Sequence, residues 1–292
     1  MKISSVASKR SSFPLDILAH LRNSDLFSSN YGAPDELLLH SGGPTSDLST
    51  RSLLMGPSSL RFVVKQKQES VAYSTKSPLS GEIELKPNPS TMIIQVEEWR
   101  GSWEVVDHVC GKDLAETLRQ LQKYLPEAYG DGFQPGGLAG ILTYDMVQHT
   151  EPLSLKNTPK PDTILMILYR ADRWIIHNRK DSTIEICSSI EDDVWVKKVE
   201  QIMESETPLR KEPTSPTLRH PQTESDIEHI EKIRKTQEAI REGVLYQLNY
   251  GRTWSGEIDH PWEVFERLDR DNPAPLSAWL YSPDLHVAIA SS

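Results

Sequence analysis

Short apolar runs, each closed within a few residues by Gly, Pro, Ser or Asn, dominate the first two thirds of the chain. Glu36-Leu-Leu-Leu-His-Ser41 is closed by Gly42-Gly-Pro44 and reads as a buried strand entering a turn. Arg51 to Gly56, Leu60 to Lys65, Glu82 to Lys86 and Met92 to Val96 follow, and Thr163 to Tyr169, Trp174 to His177 and Thr183 to Cys187 repeat the pattern. Strands this short and this regularly punctuated predict antiparallel sheets. The small residues of Gly136-Gly-Leu-Ala-Gly-Ile-Leu-Thr-Tyr-Asp145 lack the Lys-Ser/Thr of a phosphate loop, so they read as close packing within a sheet. Helical spacing is rarer. Leu15 to Leu21 is one short candidate, and Asp192 to Met203 is another. Between them, Leu114, Leu118, Leu121 and Leu125 form a stripe that Asp113 and Glu116 cap and Pro126 stops. The fold class expected is α+β, mostly antiparallel sheets with flanking helices.

The pattern changes after residue 203. Pro208, Pro213, Pro216 and Pro221 stand among charged and hydroxyl residues and exclude a regular helix or central strand, so 206–224 is expected to be a linker between a domain at 1–205 and a second at 225–292. Ser225 and Glu228 have the spacing of a capping box, and Ile227, Ile230, Ile233 and Ile240 mark the apolar stripe of the helix it opens. Gly243 ends that helix, after which Val244, Tyr246, Leu248 and Tyr250 alternate with Leu245, Gln247 and Asn249. As a strand, this segment puts both amides on one face. A helix from Pro261 with Trp262, Phe265 and Leu268 on one side, a turn at Asn272-Pro-Ala-Pro275, and strands over Leu276 to Tyr281 and Leu285 to Ala290 complete the reading.

A net charge of −10 over 292 residues argues against a nucleic-acid or anionic-membrane surface, either of which needs a concentrated basic face. Cys110 and Cys187 are the two cysteines, far apart and away from any His cluster, which disfavours a disulfide scaffold and a zinc site. The basic, serine-rich N-terminus never reaches an apolar core of signal-peptide length, and no apolar run is long enough for a membrane span. A cytoplasmic enzyme or partner-binding protein is the class that remains.

Three strings narrow it further. Ala239-Ile-Arg-Glu-Gly-Val-Leu-Tyr-Gln-Leu-Asn249, then Asn272-Pro-Ala-Pro275, then Ala288-Ile-Ala-Ser-Ser292 resemble, in this order, motifs of the chorismate-utilising enzymes, anthranilate synthase component I and aminodeoxychorismate synthase component I. Leu39-His-Ser41, Thr50 to Gly56 and Gly136 to Asp145 resemble looser N-terminal motifs of the same family. The resemblance implies the N-terminal part of the synthase fold followed by an incomplete chorismate-binding domain. It makes Gln247 and Asn249 the substrate-binding candidates, and it places an effector pocket at Leu39, His40, Ser41, Asn272, Pro275, Leu276 and Ser277. Val244 and His40 stand where the family carries acidic residues. In relatives that bind tryptophan, an acidic group at the position of His40 pairs with the amino group of the ligand, and a histidine is a poor substitute, so the resemblance implies weak or no tryptophan binding.

Intact members continue through Ser-Pro-Glu and Pro-Ile-Lys-Gly-Thr segments that bring their Mg²⁺-binding glutamates. The resemblance therefore implies a truncated chain, inactive alone, that holds no Mg²⁺ by itself and assigns no catalytic residue. Its partners would be chorismate, a glutamine amidotransferase subunit and a complementary C-terminal chain. Asn-Pro-Ala-Pro275 followed by Leu-Ser-Ala-Trp279 leans toward aminodeoxychorismate synthase and folate synthesis. Anthranilate synthase component I, of tryptophan synthesis, is the first alternative. A non-catalytic module that binds an aromatic amino acid or the glutaminase partner is the second.

Overall fold

The computed structural model describes residues 2–6, 14–27, 30–44, 46–66, 92–111, 113–127, 135–150, 159–204 and 217–291. The chain forms two compact units, one of residues 1–210 with 273–292 and one of residues 211–272.

In the first unit the strands are β1 (Lys2–Val6), β2 (Glu36–His40), β3 (Arg51–Met55), β4 (Leu60–Lys65), β5 (Ile93–Trp99), β6 (Trp103–Cys110), β7 (Gly137–Leu142), β8 (Ile164–Ala171), β9 (Arg173–Asn178) and β10 (Thr183–Ser188). Helices α1 (Pro14–Asn23), α2 (Leu114–Arg119, extended by a 3₁₀ turn over Gln120–Tyr124) and α3 (Val194–Glu204) flank them. The second unit holds β11 (Arg219–Thr223), α4 (Asp226–Arg241), β12 (Trp254–Glu257) and α5 (Pro261–Asp271). The chain then returns to the first unit as β13 (Ser277–Ser282) and β14 (His286–Ser291).

The expected antiparallel sheets are present. One has seven strands in the order β1-β10-β9-β3-β2-β13-β14, the other five in the order β6-β5-β4-β8-β7. Strand alternation decides how they pack. Leu37, Met55, Trp174, Ile176 and Leu280 of the larger sheet meet Val63, Ile167, Tyr169 and Ala171 of the smaller in one core. Phe62, Val64, Ile94, Val96 and Leu168 alternate to the far side of the smaller sheet, where Leu114, Leu118 and Leu121 cover them. Asp113 caps α2 by accepting from the Glu116 N–H at 2.7 Å. α1 and α3 pack against β3 and β10. Gly140 of β7 has no room for a side chain, since a Cβ there would lie 2.0 Å from the Ile167 carbonyl oxygen.

A polar network crosses the same core. Arg61, 2% exposed, donates through Nε to Glu97 at 2.6 Å and through both terminal nitrogens to Asp284, with its guanidinium 4.3 Å from the Trp103 ring centre. Asp35 accepts from Tyr169 Oη and Ser282 Oγ, each at 2.7 Å, and burial pushes its carboxyl above the ordinary range. Asp284 lies in the β13–β14 turn, so the network ties the returning hairpin to both sheets.

Several expectations need correction. Residues 244–250 form no strand: Val244 is 71% and Tyr246 94% exposed, and the described residues offer this segment no ladder partner. Alternation alone does not make a strand when the backbone donors have nothing to pair with. The linker carries β11, which pairs with β12 around an irregularity between Arg219 and Gln222, where the missing N–H of Pro221 is tolerated. The second unit closes at residue 272 instead of running to 292, because β13 pairs with β2 rather than with any strand of that unit. β1 and β6 were not anticipated, and the expected strand at Glu82 to Lys86 lies outside the described residues.

Candidate functional site

β2 lies inside the seven-stranded sheet, between β3 and β13, and its last residues bring several of the sequence-marked positions together. Ser277 of β13 stands opposite His40, and its hydroxyl donates to the His40 carbonyl at 3.3 Å. The next amide, Gly42 N–H, donates to the Ala274 carbonyl at 2.8 Å, which joins the end of β2 to the Pro273–Leu276 turn. Ser41 donates from its hydroxyl to the Arg51 carbonyl at 2.7 Å, and its amide donates to Ser52 Oγ at 3.0 Å.

The marked set does not converge as a whole. Leu39, one residue before His40, points the other way and packs into the intersheet core. Pro275 and Leu276 are exposed, and Asn272 belongs to the second unit.

Residues that pattern did not mark complete the site. Ser52 on β3 lies opposite His177 on β9, and Ser52 Oγ lies 3.3 Å from His40 Nδ1, so His40, Ser52 and His177 occupy one face of three neighbouring strands. His40 and Ser52 are buried, and His177 is 9% exposed with neither ring nitrogen hydrogen bonded. Burial lowers the His177 pKa below its usual value, with Arg179 and His40 adding in the same direction. Arg179 donates to the carbonyls of Gly42, Gly43 and Ser49, pinning the loop that follows β2. His177 could be read from sequence as a strand residue, but its place beside His40 depends on β9 pairing with β3, a contact between positions more than a hundred residues apart.

In the second unit Gln247 and Asn249 are both exposed. The polar cluster there lies elsewhere. Glu224 accepts from Lys232, is 2.6 Å from His229 Nδ1 and accepts from Tyr250 Oη at 3.1 Å, and the Lys232 and His229 contacts hold its carboxyl down to about 2. Among the described residues no group of three or more His, Cys, Asp or Glu is placed to hold a metal ion.

Known proteins supply the context. The chain is 24% identical over 171 residues to aminodeoxychorismate synthase component 1 of Bacillus subtilis (strain 168), covering 53% of this chain and 35% of that protein. It is 27% identical over 174 residues to the protein of the same name from Salmonella typhimurium, covering 57% and 36%. It is 26% identical over 197 residues to anthranilate synthase component 1 of Aquifex aeolicus, covering 60% and 38%. The matched region thus spans little more than a third of each of these relatives. Among solved structures, anthranilate synthase component I from Streptococcus pneumoniae aligns with 96% of this chain and 55% of its own, at a TM-score of 0.49 and 15% identity. The family described as chorismate binding enzyme matches residues 79–292, well over half of the chain, and the chain belongs to that family.

Proposed function

We propose that this chain belongs to an aminodeoxychorismate synthase component I, which replaces the 4-hydroxyl of chorismate with ammonia delivered by a glutamine amidotransferase subunit. The observation that carries this reading is the family match over residues 79–292, together with relatives of that name from two bacteria. The product would serve 4-aminobenzoate and folate synthesis. Gln247 and Asn249 are the residues proposed to face chorismate, and exposed as they are they would need a further surface to close over them.

Displacing a ring hydroxyl needs electrophilic help, and the family's Mg²⁺ supplies it when bound. The described residues do not fit that ion. Glu224 is committed to Lys232, His229 and Tyr250, and among the described residues no group of three or more His, Cys, Asp or Glu is placed to hold a metal ion. The remaining groups are proposed to come from a further chorismate-binding segment, whether it follows on the same chain or belongs to another. α4 offers that segment a surface, since it buries none of its residues and leaves Ile227, Ile230 and Ile240 exposed. An uncovered apolar stripe of this kind marks an interaction face. The similarity to the Aquifex protein favours anthranilate synthase component I as a second reading.

Incubating the 292-residue chain with chorismate, ammonia and Mg²⁺ is expected to give no product above a no-protein control. Co-expression with the remainder of the domain is expected to give 4-amino-4-deoxychorismate. Turnover by the chain alone refutes the need for a complement, anthranilate as product selects the second reading, and no product from the pair overturns the aminating role.

A further inference from the structure

Glu224 stands one residue before the Ser225 cap of α4, and its carboxylate reaches along that helix. His229 and Lys232, three residues apart and therefore on one helix face, both meet it, His229 Nδ1 at 2.6 Å and Lys232 as an ion pair. A third group comes to the same carboxylate from further along the chain. Tyr250 Oη donates to Oε2 at 3.1 Å and lies 3.3 Å from Oε1. Its ring centre is 5.2 Å from that of His229, and Lys232 Nζ lies 5.8 Å from it. Arg252 adds a second tie, donating to the Glu224 carbonyl at 2.8 Å and pairing with Asp226 at 2.8 Å. A carboxylate that engages three groups at once is a firmer anchor than an isolated surface pair, because charge-assisted bonds to a shared acceptor fix its geometry.

What is anchored is the end of the segment that carries Gln247 and Asn249. The start of that segment is fixed on α4, where Val244 and Leu245 N–H donate to the Ala239 carbonyl at 2.9 and 3.2 Å. Between the two ends, residues 246–249 are exposed and have no ladder partner among the described residues. Such a segment keeps one conformation only as far as its ends hold it. Side chains that must first be ordered when a ligand arrives weaken its binding.

We infer that Glu224 is a positioning residue: through Tyr250 it clamps residues 246–249 to α4 and so fixes Gln247 and Asn249 for the substrate. The inference rests on the reading of those two amides as the residues that face chorismate. Glu224 itself touches no substrate, moves no proton and holds no metal in this role.

Two variants separate the clamp from its neighbours. Tyr250→Phe removes only the donor and keeps the ring against His229 and Lys232, whereas Glu224→Ala removes the acceptor. In the 292-residue chain, chymotryptic cleavage after Tyr246 is expected to run several times faster in both variants than in the parent, with cleavage at other sites unchanged. In the co-expressed enzyme, both are expected to raise the KM for chorismate roughly tenfold and leave kcat nearly unchanged, the signature of lost binding geometry. A merely structural loss would instead lower kcat through the fraction of folded enzyme and leave KM alone. Glu224→Ala should add nothing to a protein that already carries Gln247→Ala and Asn249→Ala, because it acts through them. Unchanged cleavage in both variants, a loss of kcat at the parent's KM, or additive losses in the triple variant would overturn the clamp. A KM raised by removing both amides but untouched by Glu224→Ala refutes the positioning role alone. If removing both amides leaves KM at the parent's value, the chorismate-facing reading falls and the positioning role with it. An inactive pair refutes the aminating role and leaves the cleavage rates to decide the clamp.

Discussion

At the scale of single residues, His177 couples proton uptake to stability. Its folded pKa lies below the usual histidine value of about 6.5, so the unfolded chain binds a proton more readily than the folded chain as pH falls through that value. Stability is then fully present above pH 6.5 and is lost as pH drops toward the folded pKa, where the slope flattens. Urea midpoints of the parent at pH 8 and pH 5.5 should differ in that direction. His177→Leu removes the titration and the two unpaired nitrogens, so it should shrink the difference and stabilise the fold at pH 8 by about 1 kcal/mol, the lower end of what unmade hydrogen bonds cost. A variant that keeps the parent's pH slope would show that another group titrates. Cys187 does not complicate the test, because burial raises its thiol to about 11 and keeps it protonated throughout.

Among elements, α4 shows most clearly what sequence can specify. Both halves of its capping box are made, with Glu228 N–H donating to Ser225 Oγ at 3.2 Å and Ser225 N–H donating to Glu228 Oε2 at 2.9 Å. Its C-terminus is a Schellman motif: Val244 N–H donates to the Ala239 carbonyl, Gly243 N–H donates to the Ile240 carbonyl, and Gly243 has φ +73°. Ser225→Ala should therefore cost about 1 kcal/mol and Gly243→Ala a similar amount, the second through left-handed strain. Amide exchange would report the losses at the first and last turns of α4 respectively. Exchange spread evenly over the helix in either variant would contradict the assignment. Ends of this kind were legible because capping is chemistry between residues three to five apart. The segment after Gly243 departs from its pattern for the complementary reason. Val244 to Tyr250 has the alternation of a strand, but a strand also needs a neighbour, and the neighbour of β12 turned out to be β11, in what had read as a linker. The candidate site was half legible on the same grounds. His40, Ser41, Ser52 and Ser277 lie in recognisable motifs, whereas His177 and Arg179 join them only through strand order.

For the whole molecule, the decisive feature is that residues 273–292 return to the first unit's larger sheet, so that β13 stands between β2 and β14. Hydrophobic burial drives that return, with Leu280 in the intersheet core and Trp279, 2% exposed, donating to Glu36 at 2.8 Å. Specificity is a separate matter, and the Arg61 network is placed to provide it. One guanidinium holds Glu97 of the smaller sheet and Asp284 of the returning hairpin, while Asp35, in the segment before β2, accepts from Tyr169 and Ser282. This arrangement of sheets and hairpin satisfies all of these groups. Removing the cation strands buried carboxylates, and breaking one partner of a buried pair typically costs 3–5 kcal/mol, so Arg61→Met should lower stability by about that amount. Asp284 is half exposed and can turn to water, so Asp284→Asn should cost much less, on the order of 1 kcal/mol. The triple change Arg61→Met, Glu97→Gln and Asp284→Asn should recover much of the loss, because it removes the stranded charges along with the cation. Equilibrium unfolding followed by tryptophan fluorescence would rank the four proteins. If Arg61→Met proved no less stable than Asp284→Asn, the charges would not be what fixes the hairpin, and apolar packing of Trp279 and Leu280 would have to account for the return of the chain unaided.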